Sequence, residues 1–218
     1  MADLDLAEAR ELLRSALVSD ALDALGLRDQ WLKPGVASVR VGARLVGWAF
    51  PVQLDPVDAV PEVPYLGLLA AIDSVEPDHV VVAASGSEAR AAVWGELIST
   101  VCRFRGAVGV VTDGPTRDVD IIGELEGFEV FARGTLPVDV NGRLEWGVHG
   151  SPVVLDGVGV SSGDLVVADS DGVVIVPGRV VSAVMAHVRE KSAAESDFRK
   201  AVTNGMSAQD AFTTFNVL

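Results

Sequence analysis

The chain is short of cysteine, histidine and basic residues, and each shortage removes a class of function. It holds one cysteine and three histidines. A lone cysteine cannot form an internal disulfide and suits a reducing compartment. Cys102 falls on the apolar face of an expected helix with no histidine nearby in sequence, which reads as a core residue. His79, His149 and His187 are scattered without metal-ligand spacing. Seventeen Lys and Arg face 31 Asp and Glu, a net charge of -14 with no basic stripe. A nucleic-acid backbone would be repelled by such a surface. Long apolar runs are also missing. Val80 to Ala84 and Val173 to Val176 are far too short to span a bilayer, and Asp3, Asp5 and Glu8 spoil a signal peptide. The expectation is a cytoplasmic protein that binds neither membrane nor nucleic acid.

Several familiar motifs are absent too. Gly157 and Gly159 lack the third glycine of a dinucleotide fingerprint, and there is no phosphate-loop lysine motif. No serine-hydrolase elbow occurs. Asp169-Ser170-Asp171-Gly172 begins like a calcium loop, but Val180 stands where the closing glutamate belongs, so a hairpin turn is expected. Neither an internal repeat nor a low-complexity segment is present.

What is there is a well-supplied core, with 49% apolar residues among 218, enough for one large domain or one domain with helical additions. Residues 4 to 25 read as two short helices, with Leu6, Ala9, Leu13, Ala16 and Leu17 at helical spacing. Ser19 or Asp20 would cap the second, and Gly26 would end it. Gly35 to Val52 has β character and is expected to close at Pro51, followed by a proline-rich connection to Pro64. Tyr65 to Ile72 reads as helix, and His79 to Ala84 as a buried central strand. Helix and strand then alternate: Trp94 to Arg105, Ala107 to Thr112, Asp118 to Leu125, Phe128 to Ala132. That is βαβ order. After Arg133-Gly134, hairpins are expected around Val153 to Leu155, Leu165 to Ala168 and Val173 to Val176. Residues 179 to 214 are helical, with a break near Asn204-Gly205.

The chemistry concentrates in Gly95-Glu96-Leu97-Ile98 and Asp113-Gly114-Pro115-Thr116-Arg117-Asp118. One helix, one strand and a turn separate them, so both can reach the carboxyl edge of a parallel sheet, where α/β proteins place ligands. Gly95 falls at a helix start, whose free N–H groups attract anions. Leu97 and Ile98 could donate these N–H groups while their side chains pack inward. Arg117 could bind a carboxylate or an enolate through its planar fork. Asp118 could give a hard oxygen to magnesium. The plainer alternative makes Asp118 a helix N-cap and Arg117 a surface ion-pairing group.

These residues resemble the RraA-like family, which includes the class II 4-hydroxy-4-methyl-2-oxoglutarate aldolases. The resemblance lies in Ser19-Asp20-Ala21-Leu22-Asp23, Gly47-Trp48-Ala49-Phe50, Val93 to Ile98, Gly106 to Gly114, Arg117-Asp118, Phe131-Ala132-Arg133-Gly134 and Ala168 to Val173. It implies an α/β fold, a three-layer β/β/α sandwich of the swivelling-domain type, with N-terminal helices and a C-terminal helical extension. The division implied is 1-178 for the family domain and 179-218 for the extension, as a single structural unit.

The family pattern further implies a divalent-metal-dependent lyase that releases pyruvate from a 4-hydroxy-2-oxo acid and decarboxylates oxaloacetate. Gly95, Glu96, Leu97, Ile98 and Arg117 would bind the substrate, with Arg117 and Glu96 catalytic. Asp118 would ligate Mg2+, Mn2+ or another divalent metal. Glu96, Asp120 and Glu195 are candidate acids around the metal's waters, Glu195 from a neighbouring subunit. Homotrimers or hexamers with the active site at a subunit interface are the implied assembly. One departure stands out: Ile121 occupies a position that is often acidic in the aldolases. Asp120 lies one residue early, about 100° round a helix, which leaves open whether it compensates. The alternative function is a non-catalytic regulator that binds and inhibits an RNA-degrading enzyme, as shorter family members do. Menaquinone methyl transfer, another family label, lacks a glycine-rich nucleotide loop to support it here.

Overall fold

The apolar run His79–Ala84 forms a central strand in a computed structural model that describes residues 4–86 and 88–217. In chain order the elements are α1 (Leu6–Leu12), α2 (Ser15–Ala24), β1 (Ala37–Ser38), β2 (Leu45–Pro56), α3 (Leu66–Asp73), β3 (His79–Ala84) and α4 (Glu96–Phe104). There follow β4 (Gly109–Thr112), α5 (Val119–Gly123), β5 (Glu129–Ala132), β6 (Leu144–His149), β7 (Val153–Leu155) and β8 (Val158–Val160). The chain ends with β9 (Leu165–Asp169), β10 (Gly172–Val176), a 3-10 turn (Gly178–Val180), α6 (Val181–Thr203) and α7 (Ala208–Phe215).

The main sheet runs β1-β5-β4-β3-β2-β9-β10, with β6 also on β2, and β7 and β8 form a separate hairpin. Strands β2, β3, β4 and β5 are mutually parallel. Side chains alternate across a strand, and β3 divides them between two cores. Val81 and Ala83 face a helical layer with Ile72, Trp94, Cys102 and Ile122. Val80, Val82 and Ala84 face the hairpin residues Val153, Leu155, Val158 and Val160. A sheet between helices and a β layer is the expected β/β/α sandwich. A third core joins α1 and α2 to β9, β10 and the first turns of α6, through Leu13, Val18, Leu22, Val176, Val184 and Val188. No helix among the described residues is long and apolar enough to cross a membrane.

Four local expectations are corrected. Ser19 and Asp20 lie inside α2 rather than capping it. The helix starts at Ser15, whose N–H and hydroxyl donate to the Asp169 carboxylate at 2.8 and 2.6 Å, so the cap comes from β9. Such a cap is worth about 1 kcal/mol, and it occupies an acid of the calcium-like turn. Pro51 does not close its strand, which continues to Pro56. Strand β2 pairs with β9 up to Trp48 and with β6 from Val52, so the missing Pro51 N–H falls where partners change. Finally, β6 and β8 were not among the expected strands, and α5 is shorter than expected, a single turn. Gly26 does end α2, at φ 77, with the Leu27 N–H donating back to the Leu22 carbonyl at 2.9 Å.

Candidate active site

Beyond β3, β4 and β5 the chain continues as three loops laid side by side. Val93 N–H donates to the Pro115 carbonyl at 2.9 Å, and Arg117 N–H to the Trp94 carbonyl at 3.1 Å. Thr116 N–H donates to the Gly134 carbonyl at 3.1 Å, and Ala92 N–H to the Val138 carbonyl at 2.7 Å. The fully buried Thr116 hydroxyl adds a bond to the Trp94 carbonyl at 3.2 Å. Buried Asp113 pins the preceding turn by accepting from the N–H groups of Ser85 and Gly86 at 2.8 and 3.1 Å. These bonds fix residues 93–95, 115–118 and 134–139 at one edge of the sheet.

Gly95 is required there by closeness rather than by backbone angle, since its φ of -168 is ordinary extended chain. A Cβ on it would sit 3.0 Å from Asp118 Oδ2 and 3.3 Å from Arg117 Cγ. The first helical bond of α4 runs from Ser99 N–H to the Gly95 carbonyl at 3.2 Å. Glu96 N–H reaches Asp118 Oδ2 at 3.4 Å. Among the described residues no acceptor takes the N–H groups of Leu97 and Ile98, which leaves two donors and the positive end of the helix for an anion. Ile98 packs against the helical core as expected. Leu97 does not: its side chain is 74% exposed, on a face of α4 shared with Phe104.

Arg117 Nη1 lies 2.7 Å from Asp139 Oδ2, and its Nε 3.5 Å from Asp118 Oδ2. The guanidinium is therefore anchored by a carboxylate that sequence reasoning missed. Asp139 also accepts from the Tyr65 hydroxyl at 2.9 Å and from Asn141 N–H at 2.7 Å. Burial pushes the Asp139 carboxyl up, but the Asn141 N–H, the Tyr65 hydroxyl and the Arg117 guanidinium outweigh it and hold the group below its ordinary value. The Tyr65 phenol is pushed up, first by its bond to Asp139 and then by burial and the nearby negative charge, with Arg117 opposing. Tyr65 has φ 65, unusual for a bulky residue. A lone carboxylate in a loop carries little sequence signal; the Asp139-Val140-Asn141-Gly142 turn chemistry was the available hint.

Asp118 stands at the N-cap position of α5 with φ 58, but its side chain makes no capping bond to that helix. It faces the N-terminus of α4 instead. Glu96 opens α4, and its Oε1 accepts from the Thr100 hydroxyl at 2.9 Å. Together with Gly95, Leu97, Ile98, Arg117 and Asp118 it lines a cavity of about 370 Å³, which Tyr65 and Asp139 also border. Asp120 is exposed and does not line this cavity. Glu195 pairs with Arg199 at 3.2 Å and lines a different cleft, with Glu11, Arg14 and Asp20. A larger opening of about 650 Å³ lies between residues 31–42 and 169–174. Its Arg40 is paired with Glu129 and its Asp169 caps α2, so the smaller cavity is the better chemical candidate.

Among the described residues no three His, Cys, Asp or Glu side chains gather into a metal cluster. Asp118 presents a carboxylate whose second oxygen, Oδ1, takes no hydrogen bond from the described residues, and Glu96 Oε2 beside it is likewise without one. One hard oxygen beside open solvent fits magnesium or manganese, which keep most of their waters, and does not fit a closed tetrahedral zinc site.

A family model described as RraA-like, Aldolase/RraA, matches residues 15–175. A Halalkalibacterium halodurans protein named "putative 4-hydroxy-4-methyl-2-oxoglutarate aldolase" is 26% identical over 211 residues, covering 97% of this chain and 95% of that one. Among solved structures, an uncharacterized protein from Pseudomonas syringae pv. tomato superposes with a TM-score of 0.86 at 32% identity, covering 97% and 95% of the two chains. Streptomyces coelicolor RraAS2, described as an unusual member of the RNase ES inhibitor RraA protein family, gives 0.82 at 28% identity, covering 92% and 99%.

Proposed function

Because this chain belongs to the RraA-like family, we propose that it is a divalent-metal-dependent lyase. It would cleave a 4-hydroxy-2-oxo acid of the 4-hydroxy-4-methyl-2-oxoglutarate kind to pyruvate and decarboxylate oxaloacetate. The observation that carries this reading is the meeting of two free N–H groups of α4, the anchored Arg117 guanidinium and the Asp118 carboxylate on one cavity. Relatives named as aldolases support the lyase class.

In this reading the N–H groups of Leu97 and Ile98 hold the C1 carboxylate of the substrate. Arg117, kept in place by Asp139, faces the 2-oxo oxygen and stabilises the negative charge that develops there. Glu96 takes the proton of the C4 hydroxyl as the C3–C4 bond breaks, leaving a carbonyl product and the pyruvate enolate. Return of a proton to C3 gives pyruvate. Asp118 would hold the divalent cation, which when bound supplies Lewis-acid polarisation of the 2-oxo group. Loss of CO2 from oxaloacetate leaves the same enolate on the same residues, without a hydroxyl proton to remove.

The reading includes a cytoplasmic homotrimer or hexamer with the site at a subunit interface. Leu97, Phe104 and Ile121 support it, being 74%, 92% and 58% exposed beside the cavity elements, as side chains awaiting a cover would be. Glu195 would reach a neighbouring site only in such an assembly.

The second reading is an inhibitor of an RNA-degrading enzyme, favoured by the match to RraAS2. That match covers 92% of this chain and 99% of RraAS2. A coupled pyruvate assay separates the two readings. Purified protein with magnesium or manganese should release pyruvate from oxaloacetate or 4-hydroxy-4-methyl-2-oxoglutarate, and Arg117→Ala or Asp118→Ala should abolish the release. Silence with both substrates and both metals, alongside inhibition of an RNA-degrading endonuclease, would establish the second reading.

A further inference from the structure

Tyr65 goes against two local preferences. Its φ of 65 puts a bulky residue in the left-handed region, which glycine, asparagine and aspartate enter far more readily. It also stands at the N-cap of α3, where a short polar side chain would accept a bond from the first turn, and its own side chain makes no capping bond. The surrounding structure holds it there. Leu69 N–H donates to the Tyr65 carbonyl at 2.9 Å, and Gly67 lies so close to β6 that a Cβ on it would collide with the Trp146 carbonyl oxygen. A residue kept against local preference points to a contact made elsewhere. Here that contact is the phenol hydroxyl, which donates to Asp139 Oδ1 at 2.9 Å. Asn141 N–H donates to the same oxygen at 2.7 Å, while Arg117 Nη1 meets the other, Oδ2, at 2.7 Å. Two donors on Oδ1 fix the rotation of the carboxylate and turn Oδ2 toward the guanidinium. The Asn141 bond lies inside the 139–142 turn and moves with it; of the two, only the Tyr65 bond comes from another element.

We propose that Tyr65 is a positioning residue for Arg117, acting through Asp139: its hydroxyl holds the carboxylate that aims the guanidinium into the cavity. The kinetic consequence rests on the lyase reading, whereas the structural one rests on the geometry alone. The left-handed backbone at residue 65 is retained for that bond, which joins the start of α3 to the turn between β5 and β6. The bond to Asp139, and then burial, push the phenol up, so it remains a donor at neutral pH. Phenylalanine at this position would supply the same ring and leave Oδ1 to the Asn141 N–H alone. The carboxylate could then rotate, and the Arg117 guanidinium would follow it away from the 2-oxo oxygen.

The test compares Tyr65→Phe with the unmodified protein, alone and in an Asp139→Ala background. For magnesium-supported pyruvate release from oxaloacetate or 4-hydroxy-4-methyl-2-oxoglutarate, Tyr65→Phe should lower kcat about tenfold, the order of loss expected from an imprecisely held group. KM should stay nearly constant, because Arg117 acts on charge that develops after binding. In the Asp139→Ala background the same change should have no further effect, as two residues acting through one contact are not additive. A second readout needs no turnover. In protein carrying isotope-labelled arginine, the Arg117 Nε–H resonance, assigned by its loss in Arg117→Lys, should move toward the free-arginine position in Tyr65→Phe. A raised KM with kcat unchanged, an unchanged resonance, or an equal fall of kcat in the Asp139→Ala background overturns the positioning role and leaves the lyase reading standing. A shifted resonance in a protein that releases pyruvate from neither substrate overturns the lyase reading and supports the coupling of Tyr65 to Arg117.

Discussion

Asp139→Asn tests the anchoring of Arg117 with little change of shape. Asparagine keeps an oxygen for the Asn141 N–H and the Tyr65 hydroxyl but removes the charge that holds Nη1 at 2.7 Å. Both side chains of the pair are about one-third exposed, 35% and 34%, so solvent screens it and the stability loss should be only about 0.5–1 kcal/mol. Activity should suffer more, because an unanchored guanidinium spends less time on the developing enolate. Mispositioning of this sort costs about tenfold to a hundredfold in kcat/KM. A second readout is independent of turnover. The chain has one tyrosine, so the tyrosinate absorbance band reports Tyr65 alone. Its phenol is pushed up chiefly by the bond to Asp139, and in the variant it should ionise at lower pH. Acid titration adds a third. Since the Asp139 carboxyl is depressed in the folded protein, its contribution is full above the unfolded value of about 3.9 and disappears as pH falls through the folded one. The stabilities of the two proteins should therefore converge below about pH 4. Unchanged kcat/KM together with an unchanged phenol titration would refute the anchoring role.

Gly95→Ala should fold normally, because the backbone there is extended, yet lower kcat/KM about tenfold by pushing Asp118 and Arg117 aside; a fully active variant would show that the close approach is dispensable. Arg133→Ala leaves Asp156, 7% exposed, without the guanidinium that meets it at 2.8 Å. Urea unfolding should reveal a loss of about 3 kcal/mol, and a loss near zero would mean that the Asp156 bond to Lys33 N–H suffices. The Cys102 thiol is fully buried and pushed up to about 12 by that burial, so disulfide reagents should modify it only after denaturation. Rapid labelling of the native protein would contradict its place in the helical core.

Elements defined by their own residues were legible in advance. The strand His79–Ala84 was read to the residue, because an unbroken apolar run bounded by a turn can be little else in a chain with βαβ order. The convergence of Gly95 and Arg117 could be anticipated from the same order. What escaped depends on partners remote in sequence. Asp139 gains its importance from Tyr65, 74 positions away, and from Arg117, 22 away. Neither spacing has a periodic signature. The inward expectation for Leu97 failed for a related reason: helical periodicity identifies apolar positions, and nothing local says that one face of α4 lacks a covering element. Pro51 misled because its penalty depends on which strand lies opposite, which only the sheet order reveals.

The capping of α2 by Asp169 has a consequence for how the chain comes to be folded during synthesis. Ser15 and Asp169 are 154 residues apart, so the start of α2 stays unspecified until β9 has left the ribosome. Two further ties, Glu8 to Arg189 and Asp20 to Lys191, involve residues made later still, whereas Arg10 of α1 already finds the Val46 carbonyl and the Asp78 carboxylate among residues made early. Short helices without tertiary support are marginal in water, and contacts this remote are slow to close. During synthesis α1 can therefore dock early on β2 through Arg10, while α2 stays frayed at its start, without its cap, until β9 has been made.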